Sequence, residues 1–203
     1  NIKEIVESTF GQMLNIAFGP FVVLFIISPY IFGTLFGEEW YDAGIYARWL
    51  IPWVFTGFLV TPMSSVITIS GKEIVGLKFQ AFLLTFRVIA LLLGGYVFKD
   101  PLITIIIYSA TGVGYQIFML RWILNEAKAK FNSLPLKRMV LIVSALVLSF
   151  IFIFELFKIS NQILIYAITF VYFLFYLISF KSDISLLLNE LFKSNSSFKK
   201  KNE

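Results

Sequence analysis

Two arginines and two glutamines stand where polar side chains are costly. Arg87 lies inside the apolar run Val75–Phe98, twelve residues from its start and eleven from its end. Gln80 precedes it by seven residues and shares nearly the same helical face. Arg48 opens a second apolar run, and Gln116 falls inside a third. A guanidinium at the middle of a bilayer costs about 2.5–3.5 kcal/mol. Its planar fork of N–H donors matches phosphate or carboxylate oxygens in pairs. Gly76, Gln80, Leu84, Arg87, Leu91 and Gly94 form one stripe, expected to face neighbouring helices or a water-filled cavity. A purely packing role for Arg87 would have it bond backbone carbonyls of a neighbour. Arg48 stands one to two turns from Glu39 and Asp42, and an ion pair with either is its simplest role.

Other chemistry is excluded by residue type. The chain has no cysteine and no histidine. Thiol nucleophiles, imidazole bases and the commonest metal ligands are therefore missing. No glycine-rich phosphate loop precedes a helix, so there is no nucleotide-driven engine. Glu38 and Glu39 sit in a loop without a partner acid, which makes them solvated loop residues rather than an acid–base pair. The sequence predicts no enzyme activity and no cofactor.

The elements that must hold these residues follow from composition. Of 203 residues, 59% are hydrophobic and 14% charged, and mean hydropathy is +0.86. A soluble domain holds nearer 25% charged residues, so this chain is read as a membrane protein. Its basic balance is read as topology marking, not nucleic-acid binding. Six runs reach the roughly 20 apolar residues that a spanning helix needs: about 10–36, 41–70, 75–98, 102–124, 139–157 and 162–180. Backbone in lipid must bond itself, and long continuous runs favour helices over a barrel. The predicted fold is an all-α, six-span domain over residues 1–181. Residues 182–203 form a cytoplasmic tail with a short amphipathic helix, Ile184–Phe192, and a basic end, Lys199–Lys201.

Lysine and arginine set the orientation. One set of flanks carries Lys3, Lys72, Lys78, Arg121, Lys128, Lys130, Lys137, Arg138, Lys181, Lys193, Lys199, Lys200 and Lys201, and the other only Lys99 and Lys158. This bias predicts both termini in the cytoplasm. Trp40 and Trp49 then fall at the outer interface and Trp122 at the inner one.

Proline and small residues mark where helices bend or approach. Pro20 and Pro29 lie in the first run, Pro52 and Pro62 in the second. Each removes a backbone bond, and the nearby Thr56, Thr61, Ser64 and Ser65 are expected to satisfy freed carbonyls. Pro52 and Pro62 are candidate hinges. The fourth run carries a polar, aromatic stripe of Thr104, Tyr108, Thr111, Gly112, Tyr115 and Gln116. Ala110 and Gly114 make a small-residue pair expected to admit a neighbouring helix. Runs five and six have no central charge and read as peripheral helices.

Phe36-Gly37-Glu38-Glu39-Trp40, then Ala43-Gly44-x-Tyr46-Ala47-Arg48, Pro52 and Pro62-x-Ser64-Ser65-Val66 follow in order along the chain. Gly71-Lys72, Phe79-Gln80 and Arg87 continue the pattern. From about Phe10 to Asn125 the chain resembles the C-terminal half of bacterial polysaccharide- and O-antigen-unit flippases, within the multidrug/oligosaccharidyl-lipid/polysaccharide exporter superfamily. The resemblance implies most of the second lobe of a two-lobed bundle around a central cavity, in the bacterial plasma membrane. It implies a polyprenyl-diphosphate-linked oligosaccharide as substrate, moved by an ion gradient or the membrane potential. Polysaccharide polymerase and chain-length machinery are the implied partners. Arg87, Gln80 and Gln116 would line the path and Arg48 its outer mouth. Asn1 in place of methionine, and the missing first lobe, lead to the expectation of a C-terminal piece of a longer protein. The rival readings are a multidrug exporter of the same superfamily and a non-transporting membrane subunit. The first would favour an acid at mid-span, and the described runs hold none.

The absence of native cysteine makes the topology directly testable. Single cysteines at Glu39, Asp100 and Ser160 are expected to react with an impermeant thiol reagent added outside cells. Cysteines at Gly71, Ser133 and Ser194 are expected to react only after permeabilisation. Reversed labelling of two neighbouring loops would contradict the orientation.

Overall fold

Breaks in the apolar runs set where each helix stops. The structure is a computed structural model, and it describes residues 2–129 and 162–179. Helix α1 is Ile2–Phe36, α2 is Tyr41–Val60, α3 is Ser65–Ile69, α4 is Glu73–Leu92, α5 is Pro101–Glu126 and α6 is Gln162–Ser179. No strand occurs among the described residues. Among the described residues, four helical stretches are long and apolar enough to cross a membrane: Ile2–Phe36, Glu38–Ile69, Glu73–Phe98 and Pro101–Glu126. They correspond to the first four predicted spans. The fifth span, the tail helix and the basic end lie outside the described residues. The sixth run is helical as α6, 18 residues long, but α6 is not among these four stretches.

Helix α1 starts eight residues before the predicted span, because Glu4 and Glu7 extend the helix without belonging to the apolar run. Its 35 residues rise about 52 Å, more than the roughly 30 Å of a hydrocarbon core. It ends at Gly37, whose φ of 113° is open to glycine and strained for other residues. Three residues of tight 3-10 turn, Glu38–Trp40, then lead into α2.

The second stretch is not uniform. Pro52 lies inside continuous α-helix, whereas at Pro62 the helix gives way to a 3-10 turn, Thr61–Ser64, before α3 resumes. The hydroxyls around it turn inward: Ser64 donates to the Thr61 carbonyl and Ser65 to the Pro62 carbonyl. Thr56 donates to the Pro52 and Trp53 carbonyls. None of these reaches the carbonyls four residues before Pro52 and Pro62, which the sequence expectation assigned to the hydroxyls.

Helix α3 closes on Gly71. Lys72 N–H bonds the Ile67 carbonyl and Gly71 N–H the Thr68 carbonyl, with Gly71 at φ 65°. This is a Schellman stop, and glycine is the residue that takes the left-handed position without strain. Lys72 then reaches Glu126 at the end of α5, at 2.8 and 2.7 Å from its two carboxylate oxygens. The pair is partly exposed and contributes less than about 1 kcal/mol. Its effect is to hold the α3–α4 turn at the end of α5.

The other end is closed by a wider π-type turn, Leu93–Phe98, that continues α4. Asp100 then caps α5, its side chain accepting from the Leu102 and Ile103 amides at 2.7 and 3.2 Å, with Pro101 in the first turn. Asp-Pro is a favourable helix start, because the cap satisfies free amides and proline has none to lose.

The buried core lies toward the end where α1 begins and α5 finishes. Val6, Phe10, Leu59, Val60, Met63, Val66, Leu120, Ile123 and Leu124 form it. Helix α6 adds to α1, where Tyr176 occupies the space above Gly19 and Tyr166 shares a 2.8 Å hydrogen bond with Thr34.

The α1–α2 contact has a chemical cause. Pro29 has no N–H, so the Phe25 carbonyl loses its helical partner. Arg48 Nε donates to that carbonyl at 2.8 Å, and its Nη2 donates to the Ile26 carbonyl at 2.8 Å. Gly44, one turn earlier on α2, lets the backbones approach: a Cβ there would stand 2.7 Å from the Ser28 oxygen and 2.9 Å from the Pro29 nitrogen. Arg48 therefore pairs with backbone, not with Glu39 or Asp42.

Arg48 and Pro29 should consequently be coupled. Arg48→Met is expected to cost about 1.5–3 kcal/mol in a Pro29-containing chain, the worth of hydrogen bonds from a charged group. In a Pro29→Ala background the restored amide can bond Phe25, and the cost should shrink. A double-mutant cycle on detergent-solubilised protein reads this coupling. Equal costs in both backgrounds would show that Arg48 does not serve the proline-freed carbonyl.

Candidate functional site

Arg87 lies near the middle of the Glu73–Phe98 stretch. Ala90 and Leu83 flank it along the buried line of α4, so its side chain leaves the helix toward α2 and α5. There the guanidinium carbon stands 4.6 Å from the centre of the Trp53 ring and 5.0 Å from that of Tyr108. The two rings meet edge to face, 5.5 Å apart and 89° inclined. Trp53 fits there because Gly112 of α5 leaves no Cβ in its path.

This corner accommodates the charge but not all of its donors. A cation over an aromatic face gains about 0.5–1 kcal/mol when exposed and about 2 when desolvated. Two faces together therefore offset much of the cost of burying a guanidinium in apolar surroundings. Ring faces are poor substitutes for oxygen acceptors, however. Arg87 Nε is buried and has no hydrogen-bond partner among the described residues. The packing alternative, backbone carbonyls for Arg87, is not what the structure has. The arginine that bonds carbonyls is Arg48.

Gln116 lies one turn beyond Gly112 on α5, against Gly57, which is one turn beyond Trp53 on α2. Its Nε2 would be 3.4 Å from a Cβ at position 57, so the amide packs directly on the α2 backbone there. Its Oε1 is buried without a hydrogen-bond partner among the described residues. Arg87 and Gln116 are thus brought to successive levels of the same α2–α5 seam.

Gln80 is not brought there. It is exposed, as are Leu84 and Leu91 of the expected stripe. The buried line of α4 is instead Phe79, Leu83 and Ala90, continued by Gly94 against Thr104. The face is rotated by about one residue, because Phe79 packs edge to face on Phe118 and Trp122 of α5. Arg48 lies on the α1–α2 contact, its Nε and Nη2 both engaged. The described residues hold no cluster of His, Cys, Asp or Glu that could bind a metal ion.

Comparison with family models, curated proteins and solved structures finds no match.

Sequence reasoning missed Trp53 as a member of the site. Its signal was its position, directly after Pro52 and one turn before a glycine. The small-residue pair was also misplaced. Ala110 and Gly114 are exposed, and a Cβ at Gly114 would meet nothing within 4 Å. Gly112, two residues away, makes the close contact.

These two glycines should respond oppositely to alanine. Gly112→Ala is expected to destabilise by about 1–3 kcal/mol, because the methyl collides with the Trp53 ring. Gly114→Ala is expected to be neutral or to stabilise by up to about 1 kcal/mol through helix propensity. Melting temperatures in detergent check both signs. A neutral Gly112→Ala would mean that Trp53 does not rest on α5.

Proposed function

We propose that this chain forms part of a membrane transporter that flips a polyprenyl-diphosphate-linked oligosaccharide from the cytoplasmic to the outer leaflet of a bacterial plasma membrane, for cell-surface polysaccharide synthesis. Its six spans would make up most of one lobe, with both termini cytoplasmic. The observation that carries the reading is Arg87: a mid-helix cation held by ring faces, with Nε buried and without an acceptor.

The chemistry of the substrate fits this site. The polyprenyl tail stays in hydrocarbon, and the diphosphate must cross it. Phosphate oxygens supply the acceptors that Trp53 and Tyr108 lack, and their charge offsets that of the guanidinium. The rings hold Arg87 between passages, so the cation has a resting place when the anion leaves. The acids of the described helices, such as Glu4, Glu7, Asp42, Glu73 and Glu126, lie toward helix ends. Among the described residues a cationic drug would find no counter-charge at the level of Arg87, which favours the anionic substrate over the multidrug alternative. Access would switch at the 3-10 turn around Pro62, where the regular helical ladder is already interrupted. A polymerase and chain-length machinery would consume the flipped unit.

Replacing Arg87 tests the reading. Arg87→Ala is expected to abolish surface polysaccharide while protein level and membrane insertion stay normal. Arg87→Lys is expected to restore only part of it, because lysine keeps the charge and loses the fork. Normal polysaccharide in Arg87→Ala cells would sink the substrate role. Loss of the folded protein would make Arg87 a packing residue.

A further inference from the structure

Arg87 and Gln116 each keep one buried atom without a partner among the described residues, and the two atoms are of opposite kind. Arg87 Nε is a donor and Gln116 Oε1 an acceptor. Their seats on α2, Trp53 and Gly57, are four residues apart, about 6 Å of helix rise. Buried polar groups in folded proteins are nearly always bonded, so a donor and an acceptor left open at neighbouring levels of one seam call for a ligand that offers both.

A diphosphate diester offers only one of them. Its oxygens accept, and at neutral pH it carries no proton to give. It can satisfy Arg87 and cannot satisfy Gln116 Oε1. The group bonded to the diphosphate on the head side is a sugar, whose hydroxyl or amide hydrogens donate. We infer that Gln116 recognises the first sugar of the lipid-linked unit while Arg87 holds the diphosphate beside it. This rests on the flippase reading and adds a specificity-determining residue to it. Phosphate binding would be shared by all such lipids. Acceptance of the sugar would depend on a hydrogen that Gln116 can accept.

Binding to the full chain in lipid nanodiscs separates the two residues. The probes are a polyprenyl diphosphate bearing one N-acetylhexosamine and the same diphosphate bearing a methyl ester. The methyl ester keeps the diester charge and removes every donor. Gln116→Met is expected to weaken binding of the sugar lipid about tenfold and leave the methyl ester unchanged, the size of one buried hydrogen bond. Gln116→Asn, which keeps the amide but retracts it by one methylene, is expected to show the same selective loss and serves if the methionine variant does not insert. Arg87→Gln is expected to weaken both lipids alike. Should the Gln116 variants weaken both lipids equally, or neither, while Arg87→Gln weakens both, the sugar contact is wrong and the flippase reading stands. Should Arg87→Gln weaken neither, both readings fall.

Discussion

The Phe25 carbonyl, left without its helical hydrogen bond by Pro29, determines how this molecule is put together. In water such a carbonyl would be solvated at little cost. In an apolar environment it needs a partner from within the protein. Arg48 is that partner, and Gly44 brings it within reach. The rotation and height of α2 against α1 follow from this contact. Trp53 and Gly57 then have fixed positions further along α2. Helix α5 must fit itself to them, through Gly112 under the indole and Gln116 over Gly57. The site on one side of α2 is set by a defect repaired on the other.

The two arginines show how one residue type is divided between structure and function. Both lie within long apolar stretches, and composition alone treats them alike. Arg48 spends Nε and Nη2 on carbonyls and has become part of the backbone hydrogen-bond system. Arg87 rests against rings that neutralise charge without saturating donors. Removal of the first leaves an orphaned carbonyl. Removal of the second leaves an apolar corner that can close. The expected costs therefore fall on stability in one case and on activity in the other.

Helices were legible in the sequence because apolar length is a strong signal. The predicted runs 75–98 and 102–124 meet Glu73–Phe98 and Pro101–Glu126 to within two residues. The first helix was read short, because hydropathy sees only its apolar part and not the polar turns that precede Phe10. The face of α4 was read one residue off. Periodicity placed Gln80 with Arg87, but the bulk of Phe79 between Phe118 and Trp122 decided the rotation. Which glycine would touch a neighbour depended on where Trp53 stood, and no pattern within α5 carries that information. Arg48 was seen as polar, yet its partner was sought among charges. The partner was a carbonyl freed by Pro29, on the preceding helix, which a search for opposite charges does not find.

Helix α4 touches the rest of the molecule along a narrow line. Leu77, Phe82, Leu84, Phe86, Val88, Leu91 and Leu92 are all exposed around it. Less of its apolar length is buried than in the stretches of α1 and α2, so fewer packed contacts hold it to the rest of the molecule. The charge of Arg87 thus rides on the most weakly attached helix among those that form the site. Its carrier can shift by sliding over rings, with no hydrogen bond to break at the Trp53–Tyr108 corner. The seam is thus a place where the molecule yields without losing its frame.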